Sequence, residues 1–212
     1  MGSLAEIERR IPSCRRCPRL AGFLETSRTL RPDYWNGPVP GFGDRRAWLV
    51  VVGLAPGLHG ANRTGRPFQG DASGEWLYGS LARAGLWDGE RLRGAYIVNA
   101  VKCVPPANQP VAAELDACRP WLVEELAQLG EARLVLALGR MAQTAVLRTW
   151  GMAPLARFPF GHDVLHRIPG RPPLLASYHP SRQNTNTGTL TRVMWGHIWM
   201  RAARFAPKRS RT

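Results

Sequence analysis

Apolar and polar positions along the chain switch between two rhythms. Short, mainly apolar runs occur at Trp48–Gly53, Ala95–Val101, Leu134–Leu138 and Leu174–Ser177, the first of them β-branched at its centre and the second interrupted only by Asn99. Runs of this length and composition mark strands buried on both faces. Between them lie stretches with a helical period. Gly74–Gly85 carries Trp76, Leu77, Leu81 and Ala84 on one side, and Ala112–Leu129 carries Leu115, Cys118, Leu122 and Leu126 in register. Arg140–Trp150 and Leu190–Phe205 complete the set. Alternating strands and helices predict an α/β fold: a four-stranded parallel sheet in a three-layer α/β/α arrangement with right-handed crossovers.

Upstream of this pattern, Leu4–Leu20 reads as a short helix, a Cys-x-x-Cys turn and a second short helix. Phe23–Arg46, rich in Pro and Gly, reads as an ordered loop, and Pro207–Thr212 as a frayed basic tail. One domain is expected over residues 1–212. It would comprise a cysteine-bearing N-terminal segment (about 1–46), the α/β body and the tail (about 206–212).

The loops at the strand ends carry the chemistry. In an open parallel sheet the loops at the carboxyl ends of the strands build the ligand crevice. Three such loops carry unusual residues. The first runs from Gly53-Leu-Ala-Pro-Gly57 through Asn62, Arg63, Arg66 and Phe68 to Asp71 and Gly74. Its glycines allow a close backbone approach to a ligand and expose N–H groups. Phe68 is an aromatic in a polar setting, and Asp71 is the only acid between Asp44 and Glu75. Ser73 is placed to cap the following helix. No Gly-Lys-Ser/Thr is present, which weakens any reading as a triphosphate-binding loop.

The second strand ends on Asn99, whose carboxamide can read the edge of a base. An Asn fixed to accept the uracil pattern would reject cytosine by leaving polar groups unpaired. After the fourth strand comes His179-Pro-Ser181, then Arg182, Gln183 and Asn184 on an Asn- and Thr-rich tip suited to phosphate contacts. A neutral imidazole at His179 can donate to an oxygen that gains charge.

Charge narrows the partner class. The 212 residues carry a formal net charge of +14, nearly all of it from arginine, with Lys102 and Lys208 the only lysines. That excess favours polyanions, nucleic acid first. No stretch approaches a membrane span, and Met1–Arg10 lacks the apolar core of a signal peptide. A soluble, intracellular (cytoplasmic) protein is expected. In a reducing compartment the four cysteines, Cys14, Cys17, Cys103 and Cys118, favour metal ligation over disulfides. Four thiolates suit zinc and an iron–sulfur cluster equally, and spacing does not choose between them.

Taken together, Gly53-Leu-Ala-Pro-Gly57, the run from Asn62 to Phe68 with Asp71 and Gly74, the segment Asn99-Ala-Val-Lys-Cys-Val-Pro-Pro106 and His179-Pro-Ser181 resemble the uracil-DNA glycosylases. The resemblance is closest to the type-b, or family 5, branch and spans Cys14 to about Gly188. Family 4 relatives carry an acid in the first motif where this chain has Leu54.

The resemblance implies a monofunctional glycosylase of base excision repair, acting as a monomer on DNA containing deaminated bases, with uracil and hypoxanthine as substrates. It implies Asp71 and His179 as catalytic residues, and Gly53, Ala55, Gly57, Asn62, Phe68 and Asn99 around the base. It implies Arg63, Arg66, Ser181, Arg182, Gln183 and Asn184 against the DNA, and a structural 4Fe–4S cluster on Cys14, Cys17, Cys103 and Cys118. The alternative is a non-catalytic, zinc-bound nucleic-acid-binding module.

Overall fold

The computed structural model of the protein describes residues 2–208. Of the expected basic tail, residues 209–212 lie outside the described residues. Six strands form one mixed sheet: β1 (Phe42–Gly43), β2 (Leu49–Gly53), β3 (Ala95–Asn99), β4 (Leu134–Leu138), β5 (Val164–His166) and β6 (Leu174–Ser177). Their order is β1-β3-β2-β4-β6-β5. The inner four are parallel, in a register that aligns Val51 with Ile97 and Leu136, and Leu136 with Leu175. These are the four strands the apolar runs predict.

The sheet is wider than predicted because an antiparallel strand closes each edge, β1 on β3 and β5 on β6. Two residues that include a glycine, and three only half-buried residues, leave no apolar run to read.

Eight helices accompany the sheet among the described residues: α1 (Leu4–Arg10), α2 (Pro18–Leu30), α3 (Ala61–Thr64), α4 (Ala72–Arg83), α5 (Ala112–Gln128), α6 (Arg140–Thr149), α7 (Arg182–Asn186) and α8 (Arg192–Ala203). Helix α2 extends well into the region expected to be a loop. Leu20, Leu24 and Ser27 recur at helical spacing and are buried, and Pro18 at its first turn needs no N–H partner there. Because strand side chains alternate, each strand feeds two cores. Val50 and Val52 pack with Leu122 and Val146 on the α5–α6 face, while Leu49 and Val51 pack with Leu77, Leu81, Trp195 and Ile198 on the α4–α8 face.

A third, smaller core ties the N-terminal segment to the rest. Ile7, Ile11 and Leu20 pack with Val101, Trp121 and the four cysteines. Among the described residues no helix is long and apolar enough to cross a membrane.

The chain crosses from β3, on one side of β2, to β4 on the other, which opens a crevice at the carboxyl edge beside β2. The loops after β2, β3 and β6 all leave from this edge. Leu136, fully buried at the middle of β4, tests the packing that holds the edge together. Leu136→Ala is expected to lower the unfolding free energy by about 2–5 kcal/mol, read from urea denaturation.

Candidate active site

The crevice holds a cavity of about 530 Å³ walled by Leu54, Ala55, Gly57, Phe68, Asp71, His179 and Arg182, among others. Two of its walls come from opposite ends of the sequence. The Phe68 and His179 rings lie with centroids 5.7 Å apart and planes 30° from parallel.

Phe68 reaches this position through a backbone that few residues adopt, with φ at +60°. Its carbonyl passes so close to α4 that a side chain on Gly74 would meet the Phe68 oxygen at 1.6 Å. The Tyr78 hydroxyl in α4 donates to the Pro67 carbonyl at 2.9 Å, holding the same loop from below. Strain of this kind persists only where the surroundings over-determine it.

Gly53 ends β2 where three groups converge. A side chain there would meet Asn99 Oδ1 at 2.4 Å and the Phe68 ring at 2.5 Å. Asn99 is 2% exposed, and its Oδ1 has no hydrogen-bond partner. A buried acceptor left open in this way costs free energy unless a ligand completes it.

Asp71, not Ser73, is the N-cap of α4; its Oδ1 accepts from the Gly74 N–H at 2.9 Å. The extended backbone at Asp71 starts the helix two residues earlier than the apolar period implies. Its other oxygen faces the turn from Gly57 to Gly60, where a side chain on Gly60 would meet it at 2.2 Å. Burial pushes the Asp71 carboxyl above the ordinary carboxylate range, against the opposing pull of the Gly74 and Ser73 N–H groups and the Arg182 charge.

Burial also pushes His179 down to about 4, so its imidazole is neutral at physiological pH. Neither ring nitrogen bonds another described residue. Its carbonyl accepts from Asn184 Nδ2 at 2.9 Å, and Ser181 caps α7 by accepting from the Asn184 N–H. Asn184 therefore supports His179 from behind.

The remaining predicted residues divide. Arg182 and Ser181 line the mouth of the cavity, and Gln183 is exposed beside them. Arg63 is turned back onto the Gly70 carbonyl at 2.8 Å, and the Arg66 guanidinium stacks over Phe42 at 4.8 Å. Asn62 is fully buried, its Nδ2 bonded to Asn36 Oδ1 at 3.1 Å, and it holds the loop rather than lining the cavity.

Two wall residues escape a reading of the sequence. His59 sits exposed at the rim with Nδ1 3.0 Å from the Tyr34 hydroxyl. Asn108 reaches the cavity because it and Ala107 both adopt positive φ, at 57° and 53°. No sequence pattern announces two consecutive left-handed residues that are not glycine.

The four cysteines surround one small cavity beneath the loop after β3. Their thiols are walled by the third core, and Ala55, a wall residue of the large cavity, packs against the same core. Burial pushes Cys103 up to about 12 and Cys118 up to about 11, the neighbouring thiols adding to the effect on Cys103. Two sulfurs receive N–H donors: Trp121 Nε1 to Cys14 and the Lys102 N–H to Cys118, each at 3.3 Å.

Comparison with known proteins places this arrangement. Residues 40–203 match the family model described as the uracil DNA glycosylase superfamily. A Type-5 uracil-DNA glycosylase of Thermus thermophilus is 48% identical over 209 residues, covering 92% of this chain and 95% of the relative. A Type-5 uracil-DNA glycosylase of Pyrobaculum aerophilum is 44% identical, covering 92% of this chain and 89% of the relative. A Type-4 uracil-DNA glycosylase of Archaeoglobus fulgidus is 33% identical, covering 85% and 83%. With the match spanning the whole sheet and all three cavity-forming loops, the chain belongs to the uracil DNA glycosylase superfamily.

Proposed function

We propose that the protein is a DNA repair glycosylase that flips uracil out of DNA and hydrolyses its N-glycosidic bond, leaving an abasic site. The observation that carries this reading is the meeting of Phe68, His179 and Asp71 around one cavity, with the Asn99 carboxamide buried beside Phe68 at Gly53. It agrees with the Type-5 uracil-DNA glycosylase relatives.

The extruded base stacks on Phe68, returning about 1–3 kcal/mol against an unstacking cost of about a few kcal/mol. Asn99 completes its hydrogen bonding with the uracil edge; cytosine, with donor and acceptor reversed, leaves both sides unpaired. As the glycosidic bond breaks, negative charge gathers on the departing base and positive charge on the sugar. His179, neutral and free of protein partners, donates to the base oxygen and stabilises that charge.

Asp71 is held by its helix cap with one oxygen toward the cavity. It stabilises the sugar cation and accepts a proton from the attacking water. Leu54 and Ala55 make the neighbouring wall apolar, so no acid from that turn joins Asp71 in the cavity. The cavity has room for a purine as well as a pyrimidine, which supports hypoxanthine as a second substrate. Ser181, Arg182 and Gln183 lie at the mouth and take the DNA backbone, with the excess positive charge drawing the polyanion in. Arg63 and Arg66 join them by releasing their present intramolecular partners.

The cysteine set fits a 4Fe–4S cluster. All four cysteines line one small cavity, and the neighbouring thiols raise the pKa of Cys103 there. Cys14, Cys17, Cys103 and Cys118 would hold the cluster, with Trp121 and Lys102 donating to its sulfur ligands. Bound there, it supplies a structural crosslink between the N-terminal segment and the loop after Asn99.

Purified protein is expected to release free uracil from uracil-containing DNA without nicking the strand. His179→Ala and Asp71→Ala should each slow single-turnover release by about a hundredfold or more. DNA affinity, measured by fluorescence anisotropy, should change little. Equal rates in both variants and the native protein would remove these roles.

The pH profile separates the two groups. If Asp71 works as a carboxylate, the rate is lost as pH falls through its pKa, which burial places above the ordinary 3.8. His179 adds no inflection near its ordinary 6.5, because its proton binds only around pH 4. A bell centred on pH 6.5 would contradict this.

Anaerobically purified protein is expected to be brown and to carry about four irons per chain. Cys103→Ser should bleach it and lower its melting temperature. Stoichiometric zinc with no visible absorption would replace the cluster by a single ion.

A further inference from the structure

Lys102 and Glu125 form an ion pair that the chemistry above does not use. They are 1% and 0% exposed, with Nζ 2.5 Å from Oε2. Burying two charges costs several kcal/mol of hydration, and such pairs are often no more stabilising than apolar residues of the same size. Stability alone is therefore a poor reason for this one.

Its contacts supply another. Lys102 Nζ also donates to the Asn99 carbonyl at 2.7 Å. The next N–H along the chain, that of Ala100, donates to the Gly53 carbonyl at 3.0 Å. These are the two polar groups of one peptide unit, so the plane just after Asn99 is clamped at both ends. Losing either bond would loosen the backbone at Asn99, the point from which its side chain sets the unpartnered Oδ1 against Gly53 and Phe68.

The rest of Lys102 is equally tied. Its N–H donates to Cys118 Sγ at 3.3 Å, and its carbonyl accepts from the Val39 N–H at 2.7 Å. Glu125 is fixed in turn by the Gly41 N–H at 3.2 Å. The geometry points to Lys102, held by Glu125, as the positioning residue that sets the Asn99 carboxamide for base recognition and links it to the cysteine centre. This inference rests on Asn99 being the base reader.

The test compares Lys102→Met/Glu125→Met with Asn99→Ala. The double variant replaces the pair by apolar chains of similar reach, which offsets the loss of the ion pair but leaves the Asn99 carbonyl and the Gly41 N–H without partners, so it is expected to fold with a modestly lower melting temperature. It should keep the native KM for uracil-containing DNA and its visible absorption, while kcat falls about tenfold to a hundredfold. The Asn99 side-chain amide resonances, assigned by their loss in Asn99→Ala, should shift or broaden.

A folded double variant with native kcat and unmoved Asn99 resonances overturns the proposal, and so does one that fails to fold, because the pair would then serve folding alone. Native kcat in Asn99→Ala would instead sink the base-reading role itself. A slow Asn99→Ala beside a fast double variant would sink only the role of Lys102.

Discussion

The absence of a side chain at Gly53 is the constraint on which the site depends. Strands β2 and β3 end side by side, and the loop after β2 must fold back over both of them. Only a bare α-carbon lets the Phe68 ring and the Asn99 carboxamide share that point, since a methyl there would lie 2.4 Å from Asn99 Oδ1 and 2.5 Å from the Phe68 ring. Everything downstream inherits this closeness. The Phe68 backbone takes a left-handed turn to bring its ring in, and Gly74 yields space to its carbonyl. The helix that begins at Ala72 then presents Asp71 at the same rim.

Enclosure sets the chemistry as well as the shape. The same desolvation raises the carboxyl of Asp71 and lowers the imidazole of His179, pushing both toward their neutral forms. For His179 this is an asset, since a neutral donor keeps its strength for the moment charge develops on the base. For Asp71 it makes the carboxylate a better proton acceptor. The N–H groups at the head of α4 and the Arg182 charge keep the shift in check.

Much of this was legible in the sequence, and the exceptions have physical causes. Leu134–Leu138 and Leu174–Ser177 read correctly because a strand covered on both faces needs an unbroken apolar run. Phe42–Gly43 and Val164–His166 did not, because edge pairing is set by the neighbouring strand and leaves little trace in side-chain pattern. The convergence of Phe68 and His179 followed from placing both of their loops at the carboxyl edge of a parallel sheet. By contrast, the cap at Asp71 depends on backbone geometry, and Asn108 depends on two consecutive left-handed residues. Asn62, read as a base contact, is buried with its Nδ2 on Asn36 Oδ1, a placement that depends on how the loop folds back. Lys102 stood out only as a rare lysine, since its buried partner Glu125 lies 23 residues further on.

The double employment of Asp71 has an energetic corollary. Its Oδ1 is engaged by the Gly74 N–H, so the side chain has one rotamer before any DNA arrives. The torsional freedom of the acid is surrendered during folding, along with the rest of the helix start, and none remains to be lost at the reaction step. The two oxygens are also unequal, because a proton arriving from water finds only the oxygen turned toward Gly57 and Gly60 unencumbered. Helix nucleation thus preselects both the orientation of the acid and the atom that receives the proton.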